Sequence, residues 1–245
     1  GDQFGSDVAL SDDGSILAVG AILNDGNGSD AGHVRVFEFS NGTWSQLGAD
    51  IDGEAAGDRS GWRVSLSSDG TKLAAGGYLN DGAGSEAGHV RVFEYSSGTW
   101  NQLGADIDGE SAGDYAGVSI ALSSNGQIVS VGSLFNDNNG TDAGHVRVFE
   151  YSNSSWSQLG AEINGESAGD NSAFNSLSSD GLTIAIGAWK NAGTATDAGH
   201  VRVFEYANGA WSQLGSDIDG EAAGDYSGWS VSLSGDGTKL AVGGY

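Results

Sequence analysis

The chain has 245 residues, among them 43 Gly and no Pro, Cys or Met. Without cysteine there is neither a disulfide framework nor thiol chemistry. With 33 acidic against 9 basic residues the net charge is −24, which argues against nucleic acid and anionic membrane as partners, since both demand basic patches. No apolar run approaches the ~18 residues of a membrane-inserted helix.

From the N-terminus, Val8 and Leu10, then Ile16 and Ala18, flank Ser11-Asp12-Asp13-Gly14. An Asp-Gly turn between short apolar runs is a hairpin signal. It predicts strand A over residues 6–11 and strand B over 15–21. A polar loop, Leu23 to Asp30, leads to strand C, His33 to Phe39. Asn41-Gly42 then supplies the positive φ angles of a tight turn into strand D, Trp44 to Ile51. Strand C alternates with period two: Val34 and Val36 point one way, and His33, Arg35 and Phe37 the other. Both sets contain large groups, so both faces are expected to be covered by neighbouring sheets.

The stretch Ala31 to Glu38 returns unchanged at 87–94, 143–150 and 198–205, and Trp44 returns as Trp100, Trp156 and Trp211. The period of about 56 residues divides one repeat domain into units 1–56, 57–112, 113–168 and 169–223, with a partial unit 224–245. The fourth unit is one residue shorter, with the gap in Ser172 to Leu177. Four strands in each full unit plus two in the last give an expected 18 strands, with no helical period anywhere. Repeated sets of four short antiparallel strands make an all-β protein, a β-propeller of four-stranded blades. The alternative is an open array or superhelix of the same units. A chain that begins without Met and stops inside a repeat reads as part of a longer protein.

Phe4-Gly5-Ser6-Asp7-Val8-Ala9-Leu10-Ser11, followed by Leu17-Ala18-Val19-Gly20-Ala21, resembles the FG-GAP repeat of integrin-α-type β-propellers. Gly32-His33-Val34-Arg35-Val36-Phe37 and Trp44 resemble the rest of such a blade. The Phe-Gly pair survives only at Phe4-Gly5. The family's Asp-rich calcium loop between strands A and B is replaced by four-residue turns such as Ser67-Ser68-Asp69-Gly70. These cannot offer the six to eight oxygens that calcium takes, so the family's metal site is not carried over. The resemblance implies a propeller fold, and its functional range runs from adhesion receptors to lectin-like and enzyme-associated domains.

A different acidic pattern recurs after strand D: Asp50, Asp52, Glu54 and Asp58; Asp106, Asp108, Glu110 and Asp114; Glu162, Asn164, Glu166 and Asp170; Asp217, Asp219, Glu221 and Asp225. Alternate carboxylates around a glycine are candidates to converge on a hard cation, with calcium the cofactor they would take. The competing reading is that these acids cap turns and pair with Arg35, Arg91, Arg147 and Arg202. Four of nine basic residues at one repeat position favour such built-in ion pairs. His33, His89, His145 and His200 are repeat-equivalent and lie on separate units, so structural hydrogen bonding is expected of them rather than zinc ligation or general-base work.

Function is also expected where units differ. Trp62 and Trp229 replace Ser6 and Val118, and Trp189 stands where Ile22, Tyr78 and Leu134 stand; these tryptophans are candidates to stack on sugar rings, against a plainer role as gap fillers. Asn27, Asn41, Asn139 and Asn153 lie in glycosylation sequons within expected loops or turns. No nucleophile elbow or catalytic motif is present. The reading these features favour is a non-enzymatic extracellular or cell-surface binding and adhesion scaffold, with a protein or glycan ligand. The alternative is a structural repeat protein that assembles with copies of itself into a fibre or surface layer.

Overall fold

A computed structural model describes residues 1–244; Tyr245, the last residue of the partial fifth unit, lies outside the described residues. The described residues contain strands and turns and no helix. The first unit folds into β1 (Phe4–Leu10), β2 (Ile16–Ala21), β3 (His33–Ser40), β4 (Thr43–Gln46) and β5 (Ile51–Asp52). Its antiparallel sheet runs β1-β2-β3-β4, with β5 also on β3. The second unit repeats this with β6 (Arg63–Leu66), β7 (Lys72–Gly77), β8 (His89–Ser96), β9 (Thr99–Gln102) and β10 (Ile107–Asp108). The third has β11 (Ala116–Leu122), β12 (Ile128–Ser133), β13 (His145–Ser152), β14 (Ser155–Gln158) and β15 (Ile163–Asn164). The fourth has β16 (Ser172–Leu177), β17 (Thr183–Ala188), β18 (His200–Ala207), β19 (Ala210–Gln213) and β20 (Ile218–Asp219), and the fifth β21 (Ser230–Leu233) and β22 (Leu240–Gly243).

The expected strand D is thus two short strands, and the described residues hold 22 strands rather than 18. The break is local, since β19 and β20 also part, at the positive-φ Gly215 with no counterpart of Trp100 after it, and the next unit makes use of it. Between β4 and β5 the chain leaves the sheet at Leu47 and Gly48, where Gly48 takes φ +79°. The carbonyl of Leu47 then accepts a 2.9 Å hydrogen bond from the indole N–H of Trp100, and Leu103 and Leu159 serve Trp156 and Trp211 in the same way at 2.7 Å. A side chain on Gly48 would collide with that indole. The repeated tryptophan is therefore a clamp on the preceding blade.

The core lies between blades. One cluster joins Ile16, Val34, Val36 and Ile51 of the first unit to Val64, Leu73 and Phe93 of the second, and equivalent clusters join the second to the third and the third to the fourth. Strand C behaves as its alternation predicts where blades flank it on both sides: Val90, Val92, His89, Arg91 and Phe93 are all buried. Inner strands pack one against the next in the series β1, β6, β11, β16, β21, which sets them around a common axis. At their centre, strand-B glycines meet backbone of the following blade. A Cβ on Gly20 would lie 2.0 Å from the carbonyl oxygen of Gly61, and one on Gly132 would lie 2.2 Å from that of Ala173.

The A–B turns form a chain of their own. Asp12 N–H donates to the Ser68 carbonyl, Ser68 to Ser124, Ser124 to Ser179 and Ser179 to Gly235, at 2.8–2.9 Å. Each turn is braced from within. Asp180 accepts from the Ser178 hydroxyl and the Leu182 N–H, and these bonds hold its carboxyl below the ordinary value. The Ser234 hydroxyl and the Thr238 N–H and hydroxyl push Asp236 down to about 2. A depressed carboxyl contributes stability that is present above the unfolded value near 3.8 and is lost as pH falls through the folded one. Urea melts of the protein and of Asp180→Asn are therefore expected to differ fully well above the unfolded value near 3.8 and to converge as pH falls below it. A difference that persists unchanged across that range would contradict this role of the turn carboxylates.

Candidate functional site

Two kinds of site emerge. The first is a cleft of about 350 Å³ lined by Arg63 of β6, Ser119 and Ile120 of β11, Phe174 and Asn175 of β16, and Ser230 and Val231 of β21, with Trp229 at its edge. It spans four successive inner strands and so lies at the axis around which the blades pack. Arg63 is aligned by its Nε–H, which donates to the Val118 carbonyl at 3.2 Å, and by Asp7, 3.9 Å from its Nη1. The rings of Phe174 and Trp229 lie 5.2 Å apart.

The cleft owes its polarity to departures from the repeat. Arg63, Ser119, Phe174 and Ser230 all pair with the strand-B glycine of their own sheet, namely Gly76, Gly132, Gly187 and Gly243. One structural position thus carries a cation, a hydroxyl, an aromatic ring and a second hydroxyl. Asn175 stands in register where the other inner strands have Val64, Ile120 and Val231. It is buried, receives a hydrogen bond from Ser130 and bonds to Ser119 through its N–H and amide. A buried polar network replaces apolar packing here and is satisfied within itself, as such networks must be to be tolerated.

The second kind of site repeats once per unit. His89, at the start of β8, points its Nδ1 at Asp106 Oδ2, 3.6 Å away, and at Glu54 Oε2 of the preceding unit, 3.8 Å away. His145 faces Glu110 and Glu162, each at 3.9 Å, and His200 faces Asp217 at 3.8 Å with Glu166 beside it. In the first unit His33 faces Asp50 and Asp52. Burial pushes His33, His145 and His200 below the ordinary imidazole value, which keeps the rings neutral. The facing His89 holds the Asp106 carboxyl below its ordinary range, whereas burial raises Asp108. These histidine and carboxylate groups are placed where they could hold a metal ion.

The expected acidic sets divide by role. Asp50, Asp52, Glu54, Asp106, Glu110, Glu162, Glu166 and Asp217 enter the histidine clusters. Asp58, Asp114, Asp170 and Asp225 brace the turn just before them, accepting backbone N–H groups such as those of Glu54 and Ala55. The Asp108 carbonyl receives Arg147, and Asp219 and Glu221 line an open groove beside Ile218 and Val242. The arginines pair as anticipated: Arg35 makes a bidentate contact with Asp50, while Arg91, Arg147 and Arg202 face Glu54, Glu110 and Glu166 of the preceding unit at 3.6–3.8 Å. The histidines depart from expectation. Nδ1 and Nε2 of His89 and His145 are buried without a hydrogen-bond partner among the described residues. Convergence was missed because the missing carboxylate comes from the neighbouring unit.

Trp62 packs on Tyr78 at 4.7 Å, and Trp189 lies between Tyr226 and Trp229 with the Lys190 ammonium 4.5 Å above it. Of the three, Trp229 reaches the cleft. Asn27, Asn41, Asn139 and Asn153 are exposed. The amides of Asn27 and Asn139 are tied to the carbonyls of Gly53 and Gly165 at 2.7 Å. Arg63, Ser119, Phe174 and Asn175 were not singled out from sequence; the signal was the polar or charged residue at a repeat position that is elsewhere apolar or different.

Residues 1–37 match the family model of the FG-GAP repeat. No curated protein sequence matches the chain. Among solved structures, a Pseudomonas aeruginosa periplasmic gluconolactonase is 21% identical with a TM-score of 0.64, over 96% of this chain and 63% of that one. A Bacteroides uniformis protein, a candidate 6-phosphogluconolactonase, is 17% identical with a TM-score of 0.64, over 98% of this chain and 64% of that one. Hydrazine synthase of Kuenenia stuttgartiensis is 14% identical with a TM-score of 0.60, over 97% and 70%. The chain thus spans less than two thirds of the length of the first two. These similarities establish the fold, in favour of blades around an axis over an open array. The expectation of a non-enzymatic adhesion scaffold, and its alternative of a self-assembling fibre or surface layer, is corrected by them, since proteins of this fold include gluconolactonases. The absence of a linear motif does not bear on the cleft, because its lining residues come together at the axis from four different units. The chain is an all-β protein of propeller type whose residues 1–37 match the FG-GAP repeat.

Proposed function

We propose that the protein is a hydrolase-type propeller that takes a small, hydroxyl-rich substrate of the sugar-lactone class into its axial cleft. The observation that carries this reading is the cleft itself, with a fixed guanidinium, buried neutral donors and an aromatic wall in about 350 Å³. Trp229 and Phe174 offer an apolar face to a sugar ring, and Arg63 and the Ser230 hydroxyl offer partners for its hydroxyls. A lactone carbonyl beside Arg63 gains negative charge when water attacks, and a pre-aligned cation stabilises that oxyanion more than the neutral carbonyl. The gluconolactonases among the neighbours support the substrate class, and the periplasmic one supports a location outside the cytoplasm.

The test is release of acid from gluconolactone, followed with a pH indicator against the buffer rate. Turnover is expected, with kcat/KM about 100-fold lower in Arg63→Met and KM raised in Trp229→Ala. Hydrolysis at the buffer rate, together with no binding of gluconate by calorimetry, would reject the proposal.

A further inference from the structure

The histidine clusters lie away from the cleft and do not depend on what it binds. We infer that the three clusters Glu54–His89–Asp106, Glu110–His145–Glu162 and Glu166–His200–Asp217 are first-row divalent metal sites, of the zinc class, that clip each unit to the one before it.

Four observations support this assignment. First, the donor set repeats in kind: one imidazole and two carboxylates, whose ligand atoms lie within 4.8 Å of one another in every cluster. Second, the spacings suit an ion and not a hydrogen bond. His89 Nδ1 is 3.6 Å and 3.8 Å from its two carboxylate oxygens, too far for a hydrogen bond. Two ligands at about 2.1 Å from a tetrahedral zinc stand about 3.4 Å apart, and both imidazole-to-carboxylate spacings of His89 lie within a few tenths of an ångström of that value. Third, the histidines are costly as they stand. His89 and His145 are 1% and 0% exposed, and both of their ring nitrogens are unpartnered among the described residues. Ligation through Nδ1 relieves half of that cost. Fourth, the outer carboxylate oxygens are already oriented. Gln102 donates to Asp106 Oδ1 at 2.6 Å, and Arg91 faces Glu54 Oε1 at 3.8 Å, leaving Oδ2 and Oε2 toward the imidazole. Such outer contacts are the usual support of a metal ligand. In the third unit the Asn138 amide donates to Glu162 Oε1 and to Glu110 Oε2, the oxygen that faces His145, and it must release the latter when a metal binds.

An imidazole donor favours zinc, nickel or copper over calcium or magnesium, which take oxygen. The first unit is excluded. Arg35 occupies both oxygens of Asp50 at 2.9–3.1 Å, and both of its carboxylates come from the same unit as His33.

The test uses the full chain stripped with chelator and titrated with zinc, with calcium and magnesium as separate arms. About three equivalents of zinc should bind, and the melting temperature should rise with zinc and not with the other two. Cobalt should give visible bands of nitrogen–oxygen coordination. His89→Gln should remove one equivalent and about a third of the cobalt signal. Should that variant fold poorly, Asp106→Asn, at a partly exposed position, should do the same. Zinc uptake unchanged by either substitution would show adventitious binding to the acidic surface and overturn the proposal. An equal response to calcium, or no zinc binding at micromolar concentrations, would also overturn it. None of these readouts involves lactone turnover, so the two proposals stand or fall separately.

Discussion

Gly132→Ala is expected to destabilise the protein by about 3 kcal/mol. The glycine lies mid-strand in β12, buried, and a Cβ there would stand 2.2 Å from the carbonyl oxygen and 3.0 Å from the carbonyl carbon of Ala173. Both atoms are backbone of the next blade, so no side chain can rotate away. Blades would have to separate by more than 1 Å at the point where the core clusters meet, and close-packed interiors resist such a shift. The same substitution at Gly42, where nothing lies within 4 Å, is the control for general glycine effects, although its φ of +81° adds local strain. Urea unfolding read by tryptophan fluorescence measures both. Equal losses at the two positions would show that the inter-blade contact contributes nothing special.

Arg147→Ala is expected to cost about 2–3 kcal/mol. Its guanidinium is buried between blades. Nη2 donates to the Asp108 carbonyl of the preceding unit, Nη1 lies 3.7 Å from Glu110, and the ring of Phe149 lies 5.3 Å beneath. Truncation leaves a carbonyl and a carboxylate facing each other without a cation, and it also removes the stem that covers Phe149. Glu110 is about one third exposed, so water screens part of the loss, which sets the figure below that of a fully buried pair. The Arg147→Ala/Glu110→Gln double variant should recover part of the stability, because the neutral amide needs no counter-charge. A double variant no better than the sum of its singles would place the effect in packing alone.

Much of the fold was legible in the sequence because it is local. Asp-Gly and Asn-Gly turns marked the hairpins, and the period-two pattern of His33 to Phe37 stated that both faces of the strand are covered. What escaped was what one unit does to another. Strand D breaks at Leu47-Gly48, where Gly48 takes a positive φ, but that Trp100 then claims the Leu47 carbonyl is recorded nowhere within residues 43–52. The arginine ion pairs were anticipated in kind, but Glu54 pairs with Arg91 and not with Arg35. A pairing between consecutive units cannot be read from a unit considered alone. The cleft was hidden by the shorter fourth unit. Its missing residue falls in the inner-strand bulge, so Phe174 takes the register of Ser119 and Asn175 that of Ile120. Comparison by simple offset puts each one place out.

The tryptophan clamp has a consequence for how the chain finds its native order. Leu47, Leu103 and Leu159 present the same carbonyl to Trp100, Trp156 and Trp211. Each unit therefore offers the same clamp to any unit that reaches it, and a nascent chain that skips one unit is expected to find that contact too. Only the short tether between consecutive units, such as residues 53–59, makes the correct neighbour the first to arrive. Sequential synthesis and brief tethers thus act as the proofreading of this architecture. Lengthening one tether with a flexible insert is then expected to yield swapped dimers rather than unfolded protein.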